Sequence, residues 1–423
     1  MTLATEPTTL NSRISVDGTS ERPQRPAYKS SGRANPAAHL TPAQIEEIGV
    51  ELDRVRREVM DSRGARDAAY IRRVIAVQRW LEIGGRVTLL GSGVKVKGIR
   101  PAFWLGTAAL SLAKILENME IGHNVLHGQW DWMRDPKIHS TTWEWDFVSP
   151  AAQWKYKHNV LHHTYTNVLG RDDDLGYGIL RVDPDQKWTP FYLAQPLIHW
   201  VNAAFFEYGI AAYDLGISDI TQRWPGMNEG ERAEWRRNAS AVLAKIRRQV
   251  GKDYIAWPLV GLLTGAAPWV VLGDFIANST RNVWANTVIV CGHFPAGVET
   301  FETDSIEGET RGEWYLRQML GSANISGSRL LHTMTGNLSH QIEHHLYPDM
   351  PSNRYIEVAP RIRALMERYG LHYVTGSLPR QFASVYGRIL TYALPNPQPD
   401  RSRWQTIRAS IRERRGAAFT RSP

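Results

Sequence analysis

The sequence predicts an all-α protein, an integral-membrane helical bundle with about four membrane-embedded segments, and three observations lead there. Four apolar stretches, each close to one bilayer crossing in length, occupy residues 99–119, 191–213, 254–273 and 275–292. Trp and Tyr are abundant, 16 of each, and amphipathic rings of this kind favour the level of lipid headgroups. Hydrophobic residues make up only 43% of the 423, so the embedded part must share the chain with a large polar part.

Taken in order, residues 1–40 are rich in Thr, Ser, Pro, Arg and Ala and lack the apolar core of a signal peptide. They read as a disordered tail on the cytoplasmic side. Thr41-Pro42 opens an amphipathic helical region, with Thr41 as cap and Pro42 in the first helical position, and residues 41–98 read as interfacial helices. The four apolar stretches follow within 99–371. Lys114 and Glu117 mar the first, Glu207 stands in the second and Arg281 in the fourth. Between the second and third lies a polar insert, 214–253, whose E-R-A-E-W-R-R-N-A-S-A-V-L-A-K-I-R-R reads as a basic amphipathic helix facing the cytoplasm. The arm 372–423 carries repeated Arg and reads as a surface helix or a disordered tail able to rest on anionic lipid.

A formal charge of +8 suits an anionic membrane face, an acidic redox partner or nucleic acid. The last is set aside, because no zinc-finger or RNP motif is present and the aromatics cluster in apolar stretches away from Lys and Arg. Cys291 stands alone, which excludes an intrachain disulfide, a Cys-ligated zinc and an iron–sulfur cluster. Any metal must be held by nitrogen and oxygen.

Histidine spacing is the informative feature. Eight of the 14 His fall in three short groups: His123 and His127; His158, His162 and His163; His340, His344 and His345. Residues four apart on a helix project from one face with side chains about 5–6 Å apart, so two such imidazoles can share an ion. A His directly after the second points about 100° away and can reach a neighbouring ion, so H-x-x-x-H-H suits two metals. Imidazole suits zinc, copper, iron and nickel, but the H-E-x-x-H of zinc proteases is absent from both H-N-V-L-H segments. Two ions ringed by neutral imidazoles leave room for oxygen between them, and redox-active iron fits best.

The second group continues as Thr164, Tyr165, Thr166, Asn167, a T-x-T-N string. The third reads Gln341-x-Glu343-His344-His345 followed by Leu346, Tyr347 and Pro348. In these motifs, over residues 99–371, the chain resembles the acyl-lipid and acyl-CoA branch of the membrane fatty-acid desaturase superfamily. The resemblance implies a helical membrane protein with a cytosolic helical cap holding the histidine boxes, and two non-haem iron ions as cofactor. It also implies oxygen-dependent insertion of a double bond into a long-chain acyl substrate, with acyl-CoA favoured. Carried over, the ligands are His123, His127, His158, His162, His163, His344 and His345. Related branches begin the third box with His where this chain has Gln341, so either the adjacent His340 takes that place or Gln341 supports a ligand. Relatives draw a further ligand from the end of the last membrane helix, which corresponds to His293. An even number of crossings between boxes two and three puts His293 on the box side, and requires 191–213 to lie in the membrane plane or re-enter. Asn286 could hold a water on one iron. Asp172, Asp173 and Asp174 could bind metal, support a ligating His or form a solvated turn. His139, His199, His332 and His372 are left as ordinary.

Each turnover needs two electrons, and the chain has neither a fused haem-binding H-P-G-G nor a G-x-G-x-x-G fingerprint. A separate ferredoxin- or flavin-type donor is therefore expected. The basic insert and arm are either its docking surfaces or contacts to lipid headgroups. Placement in the cytoplasmic membrane with the site and termini facing the cytoplasm completes the expectation. Rival readings are a hydroxylase of the same superfamily, a histidine-rich metal transporter and a zinc-dependent hydrolase.

Overall fold

The computed structural model describes residues 35–172 and 174–419, with side chains as far as 412. The expected tail lies outside the described residues up to position 34, and so does Asp173. Residues 35–40 form a turn that buries Ala37 and Leu40. The described chain is mostly helical. Its exception is a pair of three-residue parallel strands, Asn324–Ser326 beside Thr375–Ser377.

Helix α1 (Pro42–Asp61) starts as its sequence dictates. The Thr41 side chain accepts from the Gln44 amide, Gln44 accepts from the Thr41 amide, and Pro42 fills the first position. Its apolar stripe of Ile45, Ile48, Leu52, Val55 and Val59 is buried. That stripe faces α8 (Arg311–Leu320), α9 (Gln341–Leu346) and α10 (Tyr355–Arg368), which contribute Tyr315, Ile342 and Ile362 to the same core. The chain breaks at Ser62–Gly64 and resumes as α2 (Ala65–Leu90), which packs beside α3 (Pro101–Leu116) and α7 (Ala267–His293). Small residues let these helices approach closely. A Cβ on Gly85 would lie 2.8 Å from the Leu110 amide nitrogen, and one on Gly273 would lie 2.8 Å from the Leu89 side chain.

The expected bundle of about four membrane-embedded segments is not what forms. Among the described residues no helix is long and apolar enough to cross a membrane. Each apolar stretch fails for a visible reason. The first is α3, 16 residues long, running into a π-helical turn (Glu117–His123) that buries Glu120 with His123. The second is split at Phe205 into α4 (Gln195–Ala204) and α5 (Phe206–Asp214), each about 15 Å or less. The third turns back on itself after Trp257–Leu262, where Gly265 takes a left-handed conformation (φ +67°) and the Ala266 amide bonds the Gly261 carbonyl at 2.8 Å. The fourth lies within α7, which carries Asp274 and Arg281 among its buried residues.

Those charges are paired inside the protein. The Arg86 guanidinium reaches Asp253 at 2.8 Å and Asp274 at 3.2 Å, Lys114 reaches Asp253 at 2.9 Å and Asp146 at 3.2 Å, and Arg281 pairs with Glu207. Reading hydropathy along one dimension marks Lys114 and Arg281 as blemishes in spans, whereas in three dimensions they tie helices together. The insert contains α6 (Glu229–Val250), capped by Asn228, with a reciprocal bond from its amide to Glu231. The chain then closes with α11 (Leu378–Tyr392) and α12 (Arg403–Phe419).

Adjacent glycines on α2 give a test of the packing. Gly85→Ala puts a methyl into the α3 backbone and should destabilise by about 1–3 kcal/mol. Gly84→Ala, with open space around its Cβ, should stabilise by about 0.5–1 kcal/mol. Guanidinium unfolding midpoints that move together would refute this account of the helix crossing.

Candidate metal centre

The first two histidine boxes share a local design. α3 runs through the π turn Glu117–His123 into Asn124–Leu126, and Ala151–Lys155 runs through a second π turn, Tyr156–His162, into His163–Tyr165. Wide turns of this kind recur at functional sites because they re-aim side chains without ending the helix. The third box is a 3₁₀ turn, Leu338–His340, followed by α9. His293 is the last residue of α7.

These elements bring eight imidazoles together in two groups. His123, His127, His158 and His344 form one, and His162, His293 and His345 form the other, with the nitrogens of each group within 4.8 Å of one another. His163 lies between them, its ring 4.5 Å from His345, 4.7 Å from His127 and 4.8 Å from His344. Spacing alone suggested that His158 and His162 share an ion. Their rings do stack at 5.0 Å, yet each belongs to a different group, and both also reach Asp174.

The outer nitrogens are held by neighbours. His162 Nδ1 lies 3.1 Å from both Asp172 oxygens, His344 Nδ1 lies 3.2 Å from the Tyr355 hydroxyl, and His345 Nδ1 lies 3.2 Å from Gln318 Oε1 and from Thr166 Oγ1. The inner nitrogens face each other: His123 and His344 Nε2 are 3.3 Å apart, His293 and His345 Nε2 3.2 Å. Two imidazole nitrogens each about 2.1 Å from one ion at angles of roughly 90–110° stand about 3.0–3.4 Å apart, so this spacing fits a shared metal. Nε2 of His127 and of His158 and both nitrogens of His163 are buried without a hydrogen-bond partner among the described residues, as a ligand waiting for a cation would be.

Protonation agrees with ligation. Burial pushes His123, His127, His158, His163, His293, His344 and His345 well below the usual imidazole range, so they are neutral. His162 goes the other way. Burial would lower it, but the Asp172 carboxylate outweighs burial and lifts it to about 9. Asp172 holds the Nδ1 proton, and a cation at Nε2 would have to displace the second proton that this shift places there. The same carboxylate accepts from the backbone amides of Asn167 (2.7 Å) and Asp174 (2.9 Å), which closes the turn after box two.

His340 stands apart. It stacks on His332 at 4.5 Å, burial lowers it to about 3, and it joins neither group. Gln341 is the residue that reaches the centre, its amide nitrogen 3.0 Å from His293 Nε2, an approach possible because Gly292 has no side chain where a Cβ would sit 2.9 Å from Gln341. Asn286, earlier on α7, has both amide atoms buried and unpaired among the described residues. His139 bonds Thr141 on an exposed loop, and His199 packs among Trp200, Phe382 and Tyr386. Trp154, unremarked in the sequence, lies flat on His158 at 4.4 Å and edge-on to His123 at 5.2 Å. Gln318 and Tyr355 also escaped notice, having no motif of their own, whereas Thr166 belongs to the T-x-T-N string.

A cavity opens beside the centre. His123, His158, His162, His293 and Gln341 form one wall, Trp145, Phe147, Tyr177, Phe206, Ile210 and Ile289 an apolar part, and Asn118, Lys157, Asp174 and Asp214 add polar groups. The apolar part suits an apolar stretch of ligand held against the imidazoles.

Comparison with known proteins agrees. The family model described as fatty acid desaturase matches residues 100–377. The chain is 49% identical over 361 residues to the NADPH-dependent stearoyl-CoA 9-desaturase of Mycobacterium tuberculosis, covering 85% of this chain and 82% of that protein. It is 26% identical over 284 residues to the sn-1 linoleoyl-lipid 6-desaturase of Synechocystis sp., covering 65% and 76%. It is 29% identical over 230 residues to the acyl-lipid (7-3)-desaturase of Rebecca salina, covering 52% and 48%.

Behind box one, Glu120 supplies a pH test. Its buried carboxyl accepts from Ser352 (2.6 Å), Tyr70 (3.0 Å) and Asn337 (2.9 Å), yet burial dominates and raises it to about 8. Its folded value lies above its unfolded value of 4.5, so the folded state holds the extra proton between them. The stability it contributes is complete below about pH 4.5 and is lost as pH rises through about 8. Glu120→Gln should flatten the decline of the urea midpoint between about pH 5 and 8, and an unchanged slope would contradict this assignment.

Proposed function

The chain belongs to the fatty acid desaturase family, and from that premise we propose that it inserts a double bond into a long-chain acyl-CoA using two non-haem irons and O2. The observation that carries the reading is the pair of histidine groups with converging nitrogens beside a cavity with an apolar part. His123, His127, His158 and His344 would hold one iron and His162, His293 and His345 the other, with His163 between them. The irons would supply removal of two hydrogens from adjacent carbons, one O2 leaving as two waters with two further electrons and two protons from outside.

The protein's own contribution is positioning. Asp172, Tyr355, Gln318 and Thr166 fix the rings of His162, His344 and His345, so that ligand nitrogens keep their aim. Gln341, at the cavity wall against His293, and the buried Asn286 offer amide groups to orient a water. Trp145, Phe147, Phe206 and Ile210 surround an acyl chain and keep bulk water from the carbons being oxidised. The M. tuberculosis relative, named for stearoyl-CoA and position 9, supports a saturated C18 acyl thioester and that bond position. Its NADPH dependence supports a separate reductase system.

The purified protein should carry about two irons per chain and convert stearoyl-CoA to a monounsaturated product only when O2 and a reductant are both present. Product formed without O2 would sink the proposal. His344→Ala should lose iron and turnover, while His340→Ala, which alters a residue outside both groups, should keep both. Iron analysis and mass spectrometric mapping of the double bond read the two outcomes.

A further inference from the structure

Helix α6 is a prominent charged feature that the centre leaves unused, and it is anchored on the aromatic residues that lead to the centre. Lys245 donates to the Trp145 carbonyl at 2.5 Å and to Glu144 at 2.7 Å, and Gln153 donates to the Asn238 carbonyl at 2.9 Å. The Trp145 ring is 4.9 Å from Trp154, which lies flat on His158. From the inner side of α6 to an imidazole of the first group is thus a run of two indoles in contact.

The outer side of α6 is basic. Its three acids, Glu229, Glu231 and Glu234, all precede Trp235, and from there to Val250 the helix holds Arg236, Arg237, Lys245, Arg247 and Arg248 with no acid. The helix dipole favours that order of charges but does not require them to be left unpaired. Arg236 bonds Glu229 at 3.1 Å, whereas Arg237, Arg247 and Arg248 are exposed and form no ion pair among the described residues. Arg237, Ala241, Ala244 and Arg248 recur at helical spacing along one exposed stripe, so the arginines are separated by small side chains that let a partner approach. The inner face is occupied, with Val242 in a cluster with Val148, Ala211 and Leu215.

We infer that the outer face of α6 is the docking surface for an acidic one-electron carrier protein of iron–sulfur or flavin type. Charge complementarity selects the partner, and the Trp145–Trp154 contact to His158 selects the place, because electrons must enter near the imidazoles. The inference rests on the desaturase reading, which requires two electrons from outside. Each docking oxidises the carrier by one electron and reduces the centre by one. Two dockings serve each double bond, and the two accompanying protons come from water.

The test uses the full chain and, as probe, an acidic plant-type [2Fe–2S] ferredoxin. Dissociation constants are measured at about 50 and 300 mM NaCl for the wild type and for the triple variant R237E/R247E/R248E. We expect the variant to bind ferredoxin about tenfold or more weakly at low salt, with the gap closing at high salt, and to be captured by vesicles containing phosphatidylserine as the wild type is. Ferredoxin-driven turnover should show a raised KM for ferredoxin at unchanged kcat. Equal ferredoxin affinity of variant and wild type overturns the inference. So does a variant that loses vesicle capture alone, which would make the face a lipid contact. A chain that binds ferredoxin through this face but forms no double bond leaves the docking surface standing and removes the functional reading instead.

Discussion

Convergence of eight imidazoles, nearly all of them buried, is the constraint on which the rest of the structure depends. A buried nitrogen without a partner costs about 1–3 kcal/mol, and several face the same small volume. Cations held by the two groups would take up those lone pairs. Boxes one and two arrive on helices with local π turns, box three on a short helix braced by α1, α8 and α10, and His293 at the end of α7. No single element carries a complete group, so assembly of the centre and packing of the helices are one event.

A second buried set, the charges around Arg86, Lys114, Asp253, Asp274, Asp146 and Lys252, does for the helices what the imidazoles do for the boxes. Pairing makes these charges tolerable, and removing one partner strands the other at a cost of about 3–5 kcal/mol. They also account for the failure of the membrane-span expectation. Lys114 comes from the first apolar run and Asp253 from the end of the polar insert, and only the fold shows that they meet.

What was legible in the sequence divides along the same line. Local rules were readable: the Thr41 cap, the breadth of helix, the basic helix of the insert and the histidine spacing of the seven box residues, whereas His293 came from the family resemblance. Relations between distant residues were not. Gln341 and His340 are neighbours with equal claims in sequence, and the glycine at 292 favours Gln341 by leaving space for it beside His293. Trp154 has no signature because stacking on His158 is a property of two side chains on one irregular turn. Asp172 was legible as an acid near a box, but its role required the turn that aims it at His162.

The π turns have a consequence for how the two buried sets constrain helix winding. Each holds its helix wound wide over seven residues, Glu117–His123 and Tyr156–His162. Rewinding one to ordinary α-helical geometry without losing a residue would rotate everything beyond it by about 100°. In the first case Lys114 and His123 lie on opposite sides of the change. The chain could keep Lys114 on Asp253 or His123 beside His344, but not both. The two buried sets thereby hold the turn between them in its wide form.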